Sequence, residues 1–286
     1  MTSCEPRSYA VASMDASIVI VGDEILSGHV REANAHFIAT RLAAHGHALR
    51  RIAIVPDEPR EIAASVAREV GDPAVDIVFV CGGLGPTHDD RTMEGVAIAL
   101  DVGLESCAPI AKRIAEIAGH VHAEAFDGDP LGIGGLEKMA LAPAGSVALE
   151  CASGVIPAVT TEAGDTRLFI LPGPPRELGA VFTECVEPTY LEGTGTIPVR
   201  EEILHEFPES ALAVVLAEVE ASIPVKIGSY PGTERVLVRI AGAAEPVAAA
   251  AKRIREAIDT LAASTDGQRL LALMRRRREE RARERG

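Results

Sequence analysis

Short aliphatic runs alternate with segments of helical periodicity in the first third of the chain, and this alternation restricts the fold more than any other feature. The runs are Ile18–Val21, Ile52–Val55 and Ile77–Val80. Short apolar runs bounded by turn residues are typical of buried strands. Strands that alternate with helices form βαβ units with right-handed crossovers and a mostly parallel sheet. The sequence therefore predicts an α/β fold.

Length and composition indicate two domains with aliphatic cores. The chain has 286 residues, of which 47% are hydrophobic and 3% aromatic, so its cores are expected to consist of Ala, Val, Ile and Leu. This length exceeds one average domain. After a glycine-rich stretch at 193–196, a strand–helix–strand–strand–helix pattern predicts a small α+β domain. We expect domains at 16–192 and 196–262, with flexible or solvated termini at 1–15 and 265–286.

Charge and cysteine usage argue against several classes of protein. The net charge of −14 argues against broad nucleic-acid or membrane-surface binding. The segment 275–285 departs from this balance with seven arginines and three glutamates. Five scattered cysteines without a CxxC pair fit a reducing compartment. No signal peptide or membrane-spanning run is evident, so we expect a cytoplasmic protein without a membrane partner.

A glycine-rich turn follows the third strand and suggests a phosphate site. Its glycines are Gly82, Gly83 and Gly85, and a helical pattern begins at Thr92. The glycines give the turn backbone freedom and leave its N–H groups open, while the helix start adds partial positive charge. Thr87, in the same turn, either donates its hydroxyl to a phosphate or bonds its own turn.

Carboxylates follow each of the three strands. Asp23 and Glu24 come after Gly22 and the first strand, Asp57 follows the second strand, and Asp89 and Asp90 end the glycine-rich turn. Ligands of open α/β sheets bind at the edge where the parallel strands end, so we expect these side chains to converge there. Carboxylates beside a phosphate repel it unless a divalent cation lies between them. The pattern therefore predicts Mg²⁺, or another divalent cation, held by Asp23, Glu24, Asp89 and Asp90.

Simpler interpretations stay open for several of these residues. One of Asp89 and Asp90 is expected to cap the following helix, which leaves the other for metal or phosphate chemistry. Asp57 suits a turn ahead of the next helix as well as a site. Asn34 is a good helix N-cap, and Arg176 either clamps a phosphate or is simply solvated.

Five motifs in one order resemble the molybdopterin-binding (MoaB/Mog-like) domain family. They are Val21–Gly28, Asn34, Val55–Asp57, Gly82–Thr92 and Leu171–Leu178. The resemblance covers about residues 16–190 and is strongest to the N-terminal region of the competence/damage-inducible protein CinA. It implies a three-layer α/β/α sandwich. The block 196–262 resembles the small KH-like domain that follows in this branch.

The resemblance also implies an activity, with two alternatives. Members of the fold adenylylate molybdopterin or insert metal into it, whereas the CinA branch is associated with metal-dependent ADP-ribose pyrophosphatase activity. In the hydrolase hypothesis Asp90 and Asp57 are catalytic. A phosphorylated pterin or nucleotide would then contact Gly22, Gly82, Gly83, Gly85, Thr87, Asn34 and Arg176. In the alternative, the protein is a non-catalytic molybdopterin binder or carrier.

Further expectations follow from the same resemblance. Relatives assemble as dimers or trimers, so a homo-oligomer is expected. In full-length CinA a deamidase domain follows, and it would lie beyond Gly286. The deamidase activity is therefore expected to be absent. The KH-like block has no GxxG loop flanked by basic residues, which makes nucleic-acid binding unlikely on this pattern. The element Ser153–Ala158 and the predicted loop 119–135 depart from the family pattern.

Overall fold

A computed structural model describes residues 13–125, 134–151 and 158–284. The chain divides into two compact units, with the boundary between Ile197 and Pro198. We call them unit 1 and unit 2. Within the described residues, no helix combines the length and the hydrophobicity that crossing a membrane requires.

Unit 1 is built on a six-stranded sheet. Its strands and a separate β4–β5 pair are β1 (Asp15–Val21), β2 (Ala48–Val55), β3 (Ile77–Cys81), β4 (Leu104–Ser106), β5 (Leu141–Pro143), β6 (Val147–Ala148), β7 (Val159–Ala163) and β8 (Thr166–Leu171). The order in the sheet is β2-β1-β3-β8-β7-β6. The first four strands are mutually parallel, and β7 is antiparallel to both of its neighbours. The predicted α/β fold with a mostly parallel sheet is confirmed.

Helices cover both faces of this sheet. They are α1 (Asp23–Leu26), α2 (Asn34–Ala44), α3 (Pro59–Val70), α4 (Thr92–Ala99), α5 (Ala108–Ala125), α6 (Gly134–Lys138) and α7 (Pro175–Val181), which continues as a π-helix over Phe182–Leu191. Successive strand side chains point to opposite faces, so β1 divides its residues between two cores. Ile18 and Ile20 pack with α2 and α7, whereas Val19 and Val21 pack with α3, α4 and α5. This arrangement is the three-layer sandwich that the resemblance implied.

Several local predictions need correction. The predicted loop 119–135 is helical as far as Ala125, because α5 continues to that residue, and 126–133 lie outside the described residues. The divergent element Ser153–Ala158 lies almost wholly outside them, since 152–157 are not described.

Unit 2 is an α+β unit with an antiparallel sheet in the order β10-β11-β9. Its elements are β9 (Val199–His205), a 3₁₀ turn at Glu209–Ala211, α8 (Ala213–Ser222), β10 (Val225–Pro231), β11 (Val236–Gly242), α9 (Ala244–Ala263) and α10 (Thr265–Glu284). One core joins sheet residues such as Val238 and Ile240 to Val219, Val247 and Ile254 of the helices. The Arg-rich segment, expected to be solvated or flexible, forms the second half of α10 as far as Glu284.

The cysteines depart from the expectation for a reducing compartment. Cys151 and Cys185 form a disulfide across 34 residues of sequence, with their Cα atoms 6.0 Å apart. Both side chains pack against the core on the α2–α7 face. Cys81 and Cys107 are free thiols, and Cys4 lies outside the described residues. The two cysteines are distant in sequence and become neighbours only in the folded chain. Their spacing in the sequence therefore did not predict the pairing.

The buried imidazole of His47 makes the stability of unit 1 depend on pH. Its Nδ1 accepts the main-chain N–H of Met14 at 3.2 Å, and its Nε2 lies 3.3 Å from the carbonyl oxygen of Leu191. Burial lowers the pKa of His47, although the bond to Leu191 opposes this effect. The folded state therefore takes up a proton less readily than the unfolded state, whose histidine titrates near 6.5. Full stability is expected above that pH and is lost as the pH falls below it.

Urea unfolding at pH 7.5 and 5.5 tests this expectation. The wild-type protein should lose on the order of 1 kcal/mol between the two conditions through His47, whereas His47→Gln should lose less. His36→Gln, which changes an exposed histidine of α2, should behave as the wild type does. Equal losses in the wild type and in His47→Gln would show that His47 does not cause the pH dependence.

Candidate functional site

The parallel strands of unit 1 end side by side, and their ends are bonded to one another. The N–H of Gly22, after β1, donates to the carbonyl of Val55 at the end of β2 at 3.1 Å. The N–H of Gly82, after β3, donates to the carbonyl of Leu171 at the end of β8 at 3.2 Å. The ends of four parallel strands therefore form one continuous edge, which is where ligands bind in open α/β sheets.

Two glycines of this edge have conformations and surroundings that exclude a side chain. Gly82 has φ +103°, and a Cβ on it would lie 2.3 Å from the carbonyl oxygen of Val21. Gly83 has φ +62°, and a Cβ on it would lie 2.4 Å from Oγ1 of Thr92. The left-handed conformation is costly for residues with a Cβ. The turn between β3 and α4 is therefore bare main chain at its start.

Thr92 fastens this turn to α4. Its buried hydroxyl donates to the carbonyl of Gly82 at 2.7 Å, and its N–H donates to the carbonyl of Gly83 at 3.2 Å. No side chain caps α4, so the prediction that Asp89 or Asp90 caps this helix is wrong. Sequence reasoning missed the role of Thr92, although a threonine at the first position of a helix after a glycine turn is the available signal.

The carboxylate of Asp90 folds back onto its own turn. Its Oδ2 accepts the N–H of Thr87 at 2.9 Å and also accepts the hydroxyl of Thr87. A Cβ on Gly85 would lie 2.6 Å from the same oxygen, so Gly85 makes room for this carboxylate. Of the two alternatives for Thr87, the structure has the bond within the turn. The catalytic and metal roles of Asp90, and phosphate contacts by Thr87 and Gly85, stay predictions.

The structure brings Asp23, Glu24 and Asp57 together at the ends of β1 and β2. Oδ2 of Asp57 accepts the main-chain N–H of Asp23 at 2.8 Å, and its Oδ1 lies 3.3 Å from the Cβ position of Gly83. Burial raises the pKa of Asp57, and the charges of Glu24, Asp23 and Asp89 raise it further, while the bond from Asp23 opposes them. Asp57 therefore lies in a negative field directly beside the bare main chain.

The remaining acidic residues do not form a ready-made metal site. In the described ranges, no three or more His, Cys, Asp or Glu side chains are grouped so that they could hold a metal ion. The predicted ligands Asp23, Glu24, Asp89 and Asp90 are thus no such group. The neighbouring side chain of Thr87 and the main chain of Asp89 itself lower the pKa of the exposed Asp89 carboxylate. Mg²⁺ commonly takes one or two carboxylates and completes its shell with water and phosphate oxygens, so the chemistry of the donors still suits it.

Asn34 lies at the same edge but does not cap a helix. It is the first residue of α2, whose N-cap position is Ala33, and Oε1 of Glu32 accepts the N–H of Ala35 at 2.7 Å instead. Nδ2 of Asn34 donates to the carbonyl of Gly173 at 2.7 Å, whereas its Oδ1 is buried without a hydrogen-bond partner within the described chain. The predicted N-cap is therefore wrong, and the ligand contact of Asn34 stays a prediction.

The other two predicted ligand contacts differ in their surroundings. Gly22 is buried beneath the carboxylate of Glu24, whose Oε1 lies 2.7 Å from the position a Cβ would take. Arg176 is exposed at the start of α7 and has no hydrogen bond or ion pair with any residue that the structure describes. Its guanidinium is therefore available to an anion. Both roles stay predictions.

A cavity of about 250 Å³ opens beside the glycine-rich turn. Leu104, Leu141, Met93 and Met139 give it a nonpolar wall, and Gly83, Gly85 and Asp90 line its other side. Lys138 of α6 also lines it, and its Nζ donates to the carbonyl of Thr87. Sequence reasoning did not identify Lys138 or Met139, because nothing in their spacing relates them to a turn about 50 residues earlier. It also missed Met93, which follows the turn directly.

Comparisons with known proteins agree with this architecture. A family model described as a probable molybdopterin binding domain matches residues 17–192. A Pyrococcus abyssi protein is 37% identical over 219 residues, which are 76% of this chain and 85% of that protein. A CinA-like protein of Mycobacterium avium is 37% identical over 224 residues, and the match covers 74% of this chain but 51% of the relative. The crystal structure of the protein CinA of unknown function from Thermoplasma acidophilum matches with a TM-score of 0.53 and 32% identity, covering 60% of this chain and 95% of that one.

Proposed function

Because the chain belongs to the family of probable molybdopterin binding domains, we propose that it binds a phosphorylated pterin or nucleotide at the ends of β1, β2, β3 and β8. We further propose that it hydrolyses the pyrophosphate bond of ADP-ribose-like substrates with a divalent cation. This choice of activity rests on the resemblance to the CinA branch, and CinA-like proteins are among the relatives of the chain. The products would be AMP and a sugar phosphate.

One observation carries the proposal: the half-buried carboxylate of Asp57 lies against the bare main chain of Gly83. Phosphate groups bind to free N–H groups of such turns. The N–H of Gly82 is bonded to Leu171, so Gly83 and Gly85 are the proposed main-chain donors. A carboxylate with a raised pKa is a better proton acceptor near neutral pH. Asp57 is therefore suited to take a proton from the attacking water while the bond from phosphorus to the leaving phosphate oxygen breaks.

The neighbouring side chains would position the divalent cation and the ligand. Asp23 and Glu24, both exposed beside Asp57, are the residues that would hold a divalent cation. When bound, such a cation would neutralise pyrophosphate oxygens and lower the pKa of a bound water. The unused Oδ1 of Asn34 offers an acceptor to an N–H or O–H of the ligand. The nonpolar wall with Met93 and Met139 suits the ligand's ring system.

The alternative is a non-catalytic binder or carrier of molybdopterin, and a specific observation favours it. Among the described residues no group of three or more candidate ligands is placed to hold a metal ion. A binder needs only the glycine turn, the acceptor of Asn34 and the adjoining cavity. The alternative therefore predicts binding of the pterin without turnover of any nucleoside diphosphate derivative.

Hydrolysis of ADP-ribose with Mg²⁺ by the wild-type protein and by Asp57→Asn tests the proposal. The variant is expected to lose about 10²- to 10⁴-fold in turnover, because an amide cannot accept the proton. Folding should not suffer, since an amide oxygen can still accept the Asp23 N–H. The raised pKa of Asp57 means that its ionisation costs folding free energy above that pKa. The melting temperature of the variant at pH 7 should therefore equal or exceed that of the wild type.

Asp259→Asn is the matched control, because Asp259 is exposed on α9 of unit 2. It should leave turnover unchanged. Turnover by the wild type that persists in Asp57→Asn would contradict the role of Asp57. Molybdopterin binding without hydrolysis of ADP-ribose would establish the carrier instead. Binding of neither ligand would overturn both functions.

A further inference from the structure

Unit 2 contains a cavity of its own, of about 270 Å³. It lies where the chain leaves β9, where the β10–β11 hairpin turns, and beside α10. Its nonpolar lining includes Phe207, Val236 and Met274. Three guanidinium groups line it as well, those of Arg235, Arg277 and Arg278. The cavity therefore combines a nonpolar floor with a cationic rim.

Contacts with Glu206 fix the position of α10 beside this cavity. Nη2 of Arg278 donates to the main-chain carbonyl of Glu206 at 3.0 Å, and the Arg278 side chain is 25% exposed. Nη2 of Arg275 lies 3.4 Å from the carboxylate of the same residue. These bonds hold α10 at the end of β9. The negative charge of Glu206 compensates the positive charges of Arg275 and Arg278.

Arg235 and Arg277 have no such compensation. Neither forms an ion pair or a side-chain hydrogen bond with any residue in the described ranges. The one acidic residue lining the cavity, Glu209, accepts the hydroxyl of Ser229 at 2.8 Å. The positive charge is concentrated at the cavity and is not a property of the whole unit. Residues 198–286 together contain 15 Lys and Arg against 14 Asp and Glu. The cavity thus presents two unpaired guanidinium groups to whatever occupies it.

We propose that this cavity binds a phosphate group attached to an organic ring, as in a nucleotide. Guanidinium groups match phosphate oxygens in charge and in the geometry of their paired N–H donors. The hydroxyl of Thr233, which also lines the cavity, is a further donor. The nonpolar floor favours an organic group over a free phosphate ion, because burying apolar surface adds to the binding free energy. This cavity belongs to unit 2 and the strand-end site to unit 1, and the proposal does not depend on the function proposed for unit 1.

Methionine methyl NMR on the full chain tests this proposal, because the five methionines are distributed informatively. Met274 lines the cavity of unit 2, whereas Met93 and Met139 line the cavity of unit 1. Titration with AMP is expected to shift the Met274 signal, and inorganic phosphate is expected to bind at least about tenfold more weakly. A short oligothymidylate forms a third arm, which separates a free nucleotide from a nucleic-acid strand as the source of the phosphate.

The double variant Arg235→Gln/Arg277→Gln should weaken the response of Met274 to AMP at least about tenfold, since charged hydrogen bonds are lost. Its Met93 and Met139 signals should respond to ADP-ribose as in the wild type, so that failure at one site is visible separately from failure at the other. Arg276→Gln is the control, because it removes one positive charge, against two in the double variant, from an exposed position of α10 that does not line the cavity.

A response of Met274 to AMP or to the oligonucleotide that is lost in the double variant and kept in Arg276→Gln supports the proposal. No response of Met274 to any of the three probes would overturn it. Equal weakening by the double variant and by Arg276→Gln would overturn it too, because binding would then follow diffuse charge. Phosphate binding as tight as that of AMP would refute the role of the ring.

Discussion

Replacing Gly82 with alanine is expected to destabilise unit 1 by about 2 to 6 kcal/mol and to abolish ligand binding at the strand-end site. Two costs add. A residue with a Cβ is strained at the φ of +103° that Gly82 adopts. The Cβ would also lie 2.3 Å from the carbonyl oxygen of Val21, which is main chain of a central strand and cannot rotate away. Relief requires β1 or the turn to move, and either movement displaces the N–H groups proposed to hold phosphate.

Thermal unfolding followed at the methyl signal of Met14 measures this effect, since Met14 lies in the core of unit 1. A decrease of at least about 5 °C in melting temperature is expected for a domain of this size. Gly103→Ala is the matched control, because Gly103 has no positive φ and a Cβ on it would meet nothing within 4 Å. Similar melting temperatures for the two variants would show that the turn tolerates a side chain.

Replacing Phe79 with alanine is expected to cost about 3 to 5 kcal/mol of folding free energy in unit 1. Phe79 is fully buried at the centre of β3. Its ring stacks on that of Phe169 of β8, with centroids 5.3 Å apart, and lies 5.5 Å from that of Phe182. With aromatic residues at only 3% of the chain, this cluster contributes an unusually large share of side-chain volume to the core. Its truncation leaves a cavity that neighbouring strands cannot close.

Urea unfolding, again read at Met14, gives the loss of free energy for Phe79→Ala. Ile98→Ala is the control, since Ile98 is 51% exposed on α4, and it should change stability by no more than about 0.5 kcal/mol. A loss below about 1 kcal/mol for Phe79→Ala would mean that the core repacks around the missing ring.

The sequence predicted the sheet because the physical signals for it are local. The aliphatic runs of β1, β2 and β3 are visible as such, and the turn residues that bound them are adjacent in sequence. Parallel pairing then follows from the intervening helices. The meeting of Asp23 with Asp57 follows from the same argument, because both residues come directly after parallel strands.

Side-chain directions at the site were not predictable in this way. Asp90 turns back to Thr87, and Asn34 bonds to Gly173, because each finds a partner that the sequence alone does not place nearby. Capping rules assigned Asn34 and one of Asp89 and Asp90 to helix starts, and both assignments are wrong. Tertiary neighbours decided the outcome in each case, as they did for the contact of Lys138 with the turn.

The packing of α4 on α3 connects the core of unit 1 to the glycine-rich turn at the proposed ligand site. A Cβ on Gly95 would lie 2.6 Å from the side chain of Ile62, so Ile62 of α3 packs directly against the main chain of α4 there. Thr92, one turn earlier in α4, holds the carbonyl groups of Gly82 and Gly83. The affinity for the proposed ligand is therefore expected to depend on the spacing of α3 and α4. A search for variants with altered ligand preference should therefore randomise the contact between α3 and α4 together with the turn. Substitutions in that contact are expected to shift the main chain of the turn through Thr92.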